Sequence, residues 1–411
     1  GIRDLVRSRG SEMCIRDRYD SVCDVMLQTM SKNFGNPSSL HVKGVEAENY
    51  IKASKKIFAD ILKVQEKEIY FTSGGTESNN MALIGSAYAN CRRGKHIITT
   101  SIEHASVYNP LIYLEQQGFE VTYLLVDKKG VVSLDALQKA LRKDTILVSV
   151  MCVNNEIGTV QPLDKIGRMI KAYNSEILFH VDAIQGFGKM KIYPTRLNID
   201  MLSISGHKFH GPKGVGVLYI KDRVKVKPLI YGGGQQKDMR SGTENVPGIA
   251  GIGEAAQEVY KNFDEKSERL YKLRDEFVEK LKAIDGVVIN GFEHRGVEAG
   301  DEHLGIVGND CFSKGPAPHV ISASFENIRA EVLLHALEEK NVYVSSGSAC
   351  SSNHPAISGT LKAIGVNKKY LDATIRFSLC LETTKEELDY CMEQLKALVP
   401  VLRRYIPGGR R

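Results

Sequence analysis

One lysine of the sequence stands in a setting suited to amine chemistry. Lys208 lies in the stretch SISGHKFHGPKG, residues 203–214, at the end of an apolar run that predicts a β-strand. His207 and Lys213 lie close to it, and a neutral amine beside another cation is able to attack a carbonyl carbon. Because most lysines are solvated, a surface-loop lysine is the alternative. The hypothesis that Lys208 is a reactive amine therefore depends on the polar residues upstream of it.

A turn before a helix is the second candidate. The segment TSGGTESNN, residues 72–80, directly follows the predicted strand 68–71. A strand, a Gly-Gly turn and a helix start bring unpaired backbone N–H groups and the helix dipole to one point, which suits a phosphate. Gly75 and Thr76 are the candidate ligands. The segment is not a P-loop, because Gly-x-x-x-x-Gly-Lys-Ser/Thr is missing, and a plain capped helix is the alternative.

Further polar residues follow predicted strands. Strands and helices alternate from His96 to Ile220, which predicts a mostly parallel sheet with helices on both faces. Ligands of such sheets bind beyond the carboxyl ends of the strands. The polar residues in these positions are Glu103, His104, Asn154, Asn155, Glu156, Asp182, Gln185, Ser205, His207 and Lys208. This many polar residues at the carboxyl edge of the predicted sheet indicate a functional site there.

The cysteines point to one reactive thiol. Cys350 lies in SSGSACSS, residues 345–352, where small residues predict a flexible loop and an accessible thiol. The other seven of the eight cysteines lack this setting, and no Cys-x-x-Cys pair occurs. A disulfide framework and a zinc site are therefore both disfavoured.

Composition limits the classes of protein. The 411 residues are 42% hydrophobic and 25% charged, as in a globular enzyme of about two or three domains. There is no apolar run of about 18 residues and no secretory signal, so we expect a cytoplasmic protein without a membrane span. The net charge of +6 is spread among nearly as many acidic residues, which argues against direct nucleic-acid binding.

The chain divides into three parts. Residues 1–18 hold five arginines without a period and are interpreted as a non-native or mis-assembled leader. Residues 19–258 form the predicted large domain, and residues 259–411 form a smaller C-terminal α+β unit. In this unit we expect a strand at 342–344 and a surface insertion at 291–319. Gly251 opens a Gly-x-Gly-x-x-Ala match to the dinucleotide fingerprint, but no strand precedes it, so it is interpreted as a helix start.

The motifs together resemble the cysteine desulfurases of the NifS/IscS-like group, within the class V aminotransferase superfamily. The resemblance covers residues 19–405 and is carried by FGNPSS, FTSGGTESNN, EHASV, VNNEIGTVQP, HVDAIQ, SGHKFHGPKG, RSGTENVPGIAG and SSGSAC. It implies an α/β protein of fold type I of the pyridoxal-phosphate-dependent transferases. The large domain would hold a mostly parallel seven-stranded sheet flanked by helices, with a smaller α+β domain after it.

The resemblance also implies a cofactor and its ligands. Pyridoxal 5′-phosphate would be attached to Lys208, with His104 stacked on its ring and assisting proton transfer. The implied cofactor-binding residues are Gly75, Thr76, His104, Asn155, Asp182, Gln185, Ser205, His207 and Thr243 of the partner subunit. Asp182 would pair with the ring nitrogen and Gln185 with the phenolic oxygen. Thr243 would reach the phosphate across a subunit interface, which implies a homodimer.

The implied reaction converts L-cysteine to L-alanine. Asn155 and Arg376 would bind the substrate, and Cys350 would receive its sulfur as a persulfide. An iron–sulfur scaffold protein or a tRNA-thiolation carrier would accept the sulfur. No resident metal is implied, although Cys350 could transiently ligate an iron–sulfur cluster on a scaffold partner.

Other activities stay open on the same fold. A selenocysteine lyase or a plain aminotransferase would share the cofactor, and an inactive paralogue or non-catalytic partner is a further alternative. The family begins with a strand and loop of the form YLDNAATT, where this chain has residues 1–18.

Overall fold

The structure is a computed structural model that describes residues 18–293, 315–347 and 358–404. Its α-helices are α1 (Asp20–Ser31), α2 (Val42–Leu62), α3 (Gly75–Asn80), α4 (Ser86–Asn90), α5 (Ala105–Gln116), α6 (Leu134–Ala140), α7 (Leu163–Tyr173), α8 (Val246–Tyr260), α9 (Phe263–Lys282), α10 (Ala330–Glu338), α11 (Gly359–Ala363) and α12 (Lys385–Leu402). Its strands are β1 (Ile69–Thr72), β2 (His96–Thr100), β3 (Glu120–Leu124), β4 (Thr145–Met151), β5 (Leu178–Asp182), β6 (Met201–Ser205), β7 (Gly216–Ile220), β8 (Val287–Asn290), β9 (Val320–Phe325), β10 (Ser345–Ser346) and β11 (Thr374–Ser378).

Seven strands form the large sheet, in the order β1-β7-β6-β5-β4-β2-β3. β2 to β6 pair in parallel, and β7 runs antiparallel to both of its neighbours, β1 and β6. The prediction of a mostly parallel seven-stranded sheet is confirmed. Since β1 is antiparallel to β7, it runs in the same direction as β2 to β6. The carboxyl ends of six strands therefore meet at one edge.

Both faces of this sheet are covered by apolar side chains. Along β2 and β4, Ile98 and Val148 join one buried cluster, whereas their neighbours Ile97 and Leu147 join another on the opposite face. Successive side chains of a strand point to opposite faces, so a strand that is covered on both sides needs an unbroken apolar run. This double burial fixes the register of the strands and the position of the polar residues that follow them.

A second sheet of four strands has the order β10-β11-β9-β8, and all of its pairs are antiparallel. It follows the long helix α9. Arg376, a residue of β11, pairs with Ser345 of β10 on one side and with Ser322 of β9 on the other. The last strand of the first sheet, β7, ends at Ile220, and the first strand of the second sheet, β8, begins at Val287. The domain boundary predicted near residue 258 lies between these two strands.

Two predictions about local structure are wrong. Residues 342–344 are not a strand: the N–H of Val342 donates to the carbonyl of Leu337 and closes the end of α10, so the strand begins only at Ser345. Gly251 does not open a helix, because α8 already begins at Val246. A side chain at Gly251 would lie 2.9 Å from the Met26 side chain of α1, and Gly251 therefore serves close helix packing.

The predicted surface insertion at 291–319 is wrong at its C-terminal end. Residues 316–319 are buried, and Ala317 N donates to Gly158 O at 2.7 Å. This contact joins the start of β9 to the loop after β4. The middle of the segment, residues 294–314, lies outside the described residues.

Candidate active site

The carboxyl edge of the large sheet collects the predicted site residues. Asp182 is the last residue of β5 and Ser205 the last of β6, and a single helical turn, Gly206–Lys208, follows β6. His104 lies beyond β2, and Gly75 begins α3 just after β1. The parallel register brings these residues to one place.

The turn after β1 forms a small cavity together with the loop after β6. The cavity has a volume of about 380 Å³ and is lined by Arg18, Ser73, Gly74, Gly75, Thr76, Glu77, Ser205, His207, Lys213 and Gly214. Two of these side chains are cationic, and the free N–H groups at the start of α3 face the same region. Helix N-termini and cations both favour a bound anion. The predicted phosphate ligands Gly75, Thr76, Ser205 and His207 are thus brought together.

Two glycines allow this turn to form. Gly74 has a φ of 152°, which side-chain-bearing residues rarely adopt. A Cβ on Gly75 would lie 2.1 Å from the Cδ1 atom of Ile184. The turn can lie this close to the loop after β5 only because both positions lack side chains.

His207 is held as a neutral ring beside this cavity. Its Nδ1 lies 3.0 Å from Ser205 Oγ. Burial, followed by the charges of Lys208, Arg18 and Lys213, lowers the pKa of His207 to about 4. At neutral pH the ring therefore contributes a hydrogen bond and no charge.

Lys208 is half-buried at the end of the helical turn, and a hydrogen bond to its backbone carbonyl holds it in place. The side chain of Lys189 is only 2% exposed, and its Nζ donates to the carbonyl oxygen of Lys208 at 3.3 Å. A second ammonium group thus lies close to the backbone of Lys208.

Asp182 is the buried charge of the site and is only 4% exposed. Its Oδ1 accepts from the N–H of Ile184 at 3.0 Å, and its Oδ2 accepts from Asn79 Nδ2 at 2.9 Å. Burial raises the pKa of Asp182, although its hydrogen bonds to Ile184 and Asn79 and the charge of Lys208 act in the opposite direction. A cationic ligand beside this carboxylate would relieve the cost of burial.

Gln185, one turn after Asp182, has an unsatisfied acceptor. The residue is 8% exposed, and its Oε1 atom is buried with no hydrogen-bond partner among the described residues. Buried polar atoms are normally paired, so an orphaned one in a site indicates a place for a ligand.

Glu103, adjacent to His104, is the second buried acid. Its Oε1 accepts from Thr100 Oγ1 at 2.6 Å and from the N–H of Met151 at 2.9 Å. Part of the residue's surface is exposed, but Oε2 is buried and without a hydrogen-bond partner in the described part of the chain. Burial raises the pKa of Glu103 to about 8, against these two hydrogen bonds and with a smaller contribution from Asp182. At neutral pH the carboxyl group is protonated.

Arg376 connects the second sheet to the site. The side chain is 5% exposed, and its Nη1 donates to the carbonyl oxygen of Asn155 at 3.0 Å. The side chain of Asn154, which precedes Asn155, donates from Nδ2 to Ile102 O at 3.0 Å and to Thr360 Oγ1 at 3.4 Å. The loop after β4 is thus held between the two sheets. The two predicted substrate ligands, Asn155 and Arg376, contact each other there.

The predicted site residues that line the cavity are Gly75, Thr76, Ser205 and His207, and the others that the structure describes lie outside its lining. Thr243 is exposed and is absent from the lining of the cavity described above. Its neighbour Arg240 ties this segment to the turn, since Arg240 Nε donates to Glu77 Oε1 at 2.9 Å. Cys350 lies outside the described residues.

The sequence did not single out several residues that shape the site. Asn79, Ser106, Lys189 and Arg240 all contact predicted site residues or their neighbours. Asn79 is visible in the motif FTSGGTESNN, but only the helical phase of α3 shows that Asn79, and not Asn80, points into the sheet. The two residues are 0% exposed and half-buried, respectively.

A family model and several curated proteins match almost the whole chain. The model described as aminotransferase class-V matches residues 17–299 and 303–391. A protein named cysteine desulfurase IscS from Methanosarcina thermophila is 44% identical over 386 residues, which cover 94% of this chain and 90% of that protein. Another protein of the same name, from Dictyoglomus turgidum, is 43% identical over 387 residues, 94% of this chain and 93% of that protein.

Solved structures share the fold. A structure named NIFS-like protein superposes with a TM-score of 0.85 at 36% identity and covers 96% of this chain and 99% of its own. A structure titled SspA in complex with cysteine has a TM-score of 0.74 at 35% identity, with 90% and 97% covered.

The buried carboxyl of Glu103 gives a prediction about stability and pH. A folded-state pKa raised to about 8 favours the protonated form, so its contribution to stability is present at low pH and is lost as the pH rises towards 8. Glu103→Gln mimics the neutral acid. We expect the free energy of unfolding of the variant to fall less between about pH 5 and about pH 8 than that of the wild type.

Urea unfolding at several pH values measures this difference. Glu276→Gln, which changes an exposed acid of α9, serves as the matched control and should follow the wild type. An equal pH dependence for Glu103→Gln and the wild type would show that Glu103 ionises normally.

Proposed function

The chain belongs to the aminotransferase class-V family, and from this premise we propose that it is a cysteine desulfurase that uses pyridoxal 5′-phosphate. The observation that carries the proposal is the meeting of an anion cavity, Lys208 and a buried aspartate at one edge of the sheet. The relatives named cysteine desulfurase IscS support the same activity, because they match nearly the full length of the chain.

The residues of the site fit this cofactor. The glycine turn after β1, with Thr76, Ser205 and His207 around it, suits the phosphate group. Asp182 offers a buried carboxylate to a protonated ring nitrogen, and Gln185 has a buried polar atom that needs a partner. Pyridoxal phosphate, when bound, supplies an electron sink that stabilises negative charge next to its amino-acid substrate.

Two residues handle protons in this proposal. Lys208 attaches the cofactor when the site is at rest, and its freed amine then takes the proton from the α-carbon of the substrate. The amine must be neutral to do so. His104 would stack on the cofactor ring and assist these transfers.

Substrate binding and sulfur transfer use residues of both sheets. Arg376 is the cation for the carboxylate of L-cysteine, and Asn155, whose carbonyl Arg376 contacts, lies beside it. The thiolate of Cys350 attacks the sulfur atom of the substrate. A sulfur–sulfur bond forms as the bond between carbon and sulfur breaks, and the electron pair of the broken bond goes to the β-carbon, which takes up a proton. The proton that Lys208 removed returns to the α-carbon, and the carbon skeleton leaves as L-alanine. Cys350 then carries a persulfide, and its role rests on the sequence resemblance.

A homodimer completes the site in this proposal. Thr243 is exposed and lies outside the lining of the cavity of its own chain, and in the proposed dimer it would contact the phosphate bound by a second subunit. The segment from α1 to α2 also exposes large apolar side chains. These are Leu27, Met30, Phe34, Leu40 and Val42. A second copy of the chain would remove them from water.

The sulfur acceptor is a separate protein. The small residues around Cys350 in the sequence predict an accessible thiol, and a persulfide there would suit donation of sulfur to an iron–sulfur scaffold protein or to a tRNA-thiolation carrier. In the part of the chain that the structure describes, no helix is long and apolar enough to cross a membrane.

Two variants separate cofactor binding from sulfur transfer. We expect Lys208→Ala to lose the visible absorbance that borohydride bleaches, and to form alanine from L-cysteine about a thousandfold more slowly. Cys350→Ala should keep the absorbance and transfer no sulfur to an acceptor. Absorbance spectra and alanine release measure the two effects.

Matched controls replace a lysine and a cysteine outside the site. Lys225→Ala and Cys23→Ala, both exposed, should behave as the wild type does. Sulfur transfer that survives in Cys350→Ala would overturn the assignment, and a bleachable absorbance in Lys208→Ala would overturn the role of that lysine.

Mixing two defective subunits tests the homodimer. Lys208→Ala and Thr243→Ala subunits each lack one half of a site. In a mixed dimer, one site has Lys208 and also receives an intact Thr243 from the other subunit. Refolding an equal mixture should therefore restore about one quarter of the wild-type rate. No gain over the separate variants would contradict a shared site.

A further inference from the structure

A buried asparagine lies between two residues of the proposed site. Asn79, on α3, is 0% exposed. Its Nδ2 atom lies 2.9 Å from Asp182 Oδ2 and 2.9 Å from Ser106 Oγ. One amide group thus connects the end of β5 to the first turn of α5.

Ser106 extends this connection to His104. Its hydroxyl oxygen lies 2.8 Å from His104 Nδ1, and its backbone N–H donates to the same nitrogen at 3.1 Å. His104 is the N-cap residue of α5, so its ring is held by the helix that it precedes. The chain of hydrogen bonds runs from Asp182 through Asn79 and Ser106 to His104.

Only one placement of hydrogens satisfies all these contacts. A backbone N–H can only donate, so His104 Nδ1 must present a lone pair. The hydroxyl of Ser106 must then donate its single hydrogen to Nδ1, and its oxygen accepts from Asn79. The amide of Asn79 uses one N–H for Ser106 and the other for Asp182, whose carboxylate accepts.

We propose that Asn79 and Ser106 are positioning residues that hold His104 as a neutral imidazole with its hydrogen on Nε2, and that they couple this ring to Asp182. The hydrogen bond at one ring nitrogen decides which tautomer a histidine adopts. The functional meaning rests on the proposed function, in which His104 and Asp182 both contact the cofactor.

The tautomer determines what His104 offers to the reaction. Adding a proton at Nδ1 would break two hydrogen bonds, and a second N–H would face two donors. The resting ring is therefore an Nε2–H donor of fixed orientation. The same amide of Asn79 holds Asp182, so the aspartate and the histidine cannot shift independently.

Another histidine of the sheet provides an internal reference. His180 is buried in β5 between Ser149 Oγ, 2.9 Å from its Nδ1, and Ser203 Oγ, 3.0 Å from its Nε2. Burial lowers the pKa of His180 to about 3, so this ring is also neutral. In the described part of the chain it makes no hydrogen bond with Asn79 or Ser106, and it should not respond to changes at those positions.

Nitrogen-15 solid-state NMR of histidine-labelled protein tests the proposal in the full-length chain without added cofactor. Protonated and unprotonated ring nitrogens have well-separated chemical shifts, and His104→Gln identifies the His104 signals. In the wild type we expect Nδ1 of His104 to be unprotonated and Nε2 to be protonated. In Ser106→Ala and Asn79→Leu the backbone N–H of residue 106 still donates to Nδ1, but the hydroxyl donor is removed or released from its fixed orientation. Each variant should therefore lose only part of the preference and show a minor but measurable Nδ1–H fraction, while Ser106→Thr, which keeps the hydroxyl, should not.

Ser203→Ala is the matched control, and it should move the signals of His180 but leave those of His104 unchanged. Unchanged His180 signals in the two test variants report an intact sheet. If Asn79→Leu does not fold, Ser106→Ala carries the test. A wild-type His104 protonated at Nδ1, or signals that neither test variant moves, would overturn the proposal.

Kinetics of the enzyme with bound pyridoxal phosphate give an independent readout. Ser106→Ala should lower kcat for alanine formation about tenfold, leave KM for L-cysteine nearly unchanged, and be rescued by Ser106→Thr. A change confined to KM would contradict a role in positioning His104. Since the NMR test needs no activity, failure of this proposal can be told apart from failure of the proposed desulfurase function.

Discussion

The site depends on a carboxylate that is held out of water. Asp182 ends a strand covered on both faces, and its charge is met by the N–H of Ile184 and the amide of Asn79. Burial still raises its pKa, so the carboxylate is best satisfied by a further cation. In the proposed function a protonated ring nitrogen would supply that cation, and the anion cavity, Lys208 and His104 lie at the same edge of the sheet.

The fold makes this arrangement possible through strand direction. The carboxyl ends of six strands meet at one edge, where Asp182 and Ser205 end their strands and Gly75, His104 and Asn155 follow theirs. Arg376 of the second sheet and Thr360 of α11 reach the same edge, where they contact the loop after β4. The proposed cofactor residues thus come from the large sheet, while the proposed substrate residues come from the boundary between the sheets.

Strand positions, and with them the edge of the sheet where the candidate site residues lie, could be predicted from the sequence because apolar runs and turn residues are local signals. The roles of Asn79 and Ser106 could not, because they depend on the phase of one helix and on contacts across 103 and 27 residues of chain. The prediction that Gly251 opens a helix is wrong for a similar reason. A glycine is needed there because the Met26 side chain packs against it, which the local motif does not show. The strand expected at 342–344 failed because Val342 closes a helix instead.

The most direct test of the account is the mass of the peptide that contains Cys350, after the protein with bound pyridoxal phosphate has been incubated with L-cysteine in the absence of reductant. If the protein is a cysteine desulfurase with Cys350 as its sulfur acceptor, we expect one added sulfur atom on Cys350 together with released L-alanine, and no added sulfur on the buried Cys152 or Cys391. Alanine formation without any sulfur on Cys350 would contradict it and would favour a lyase.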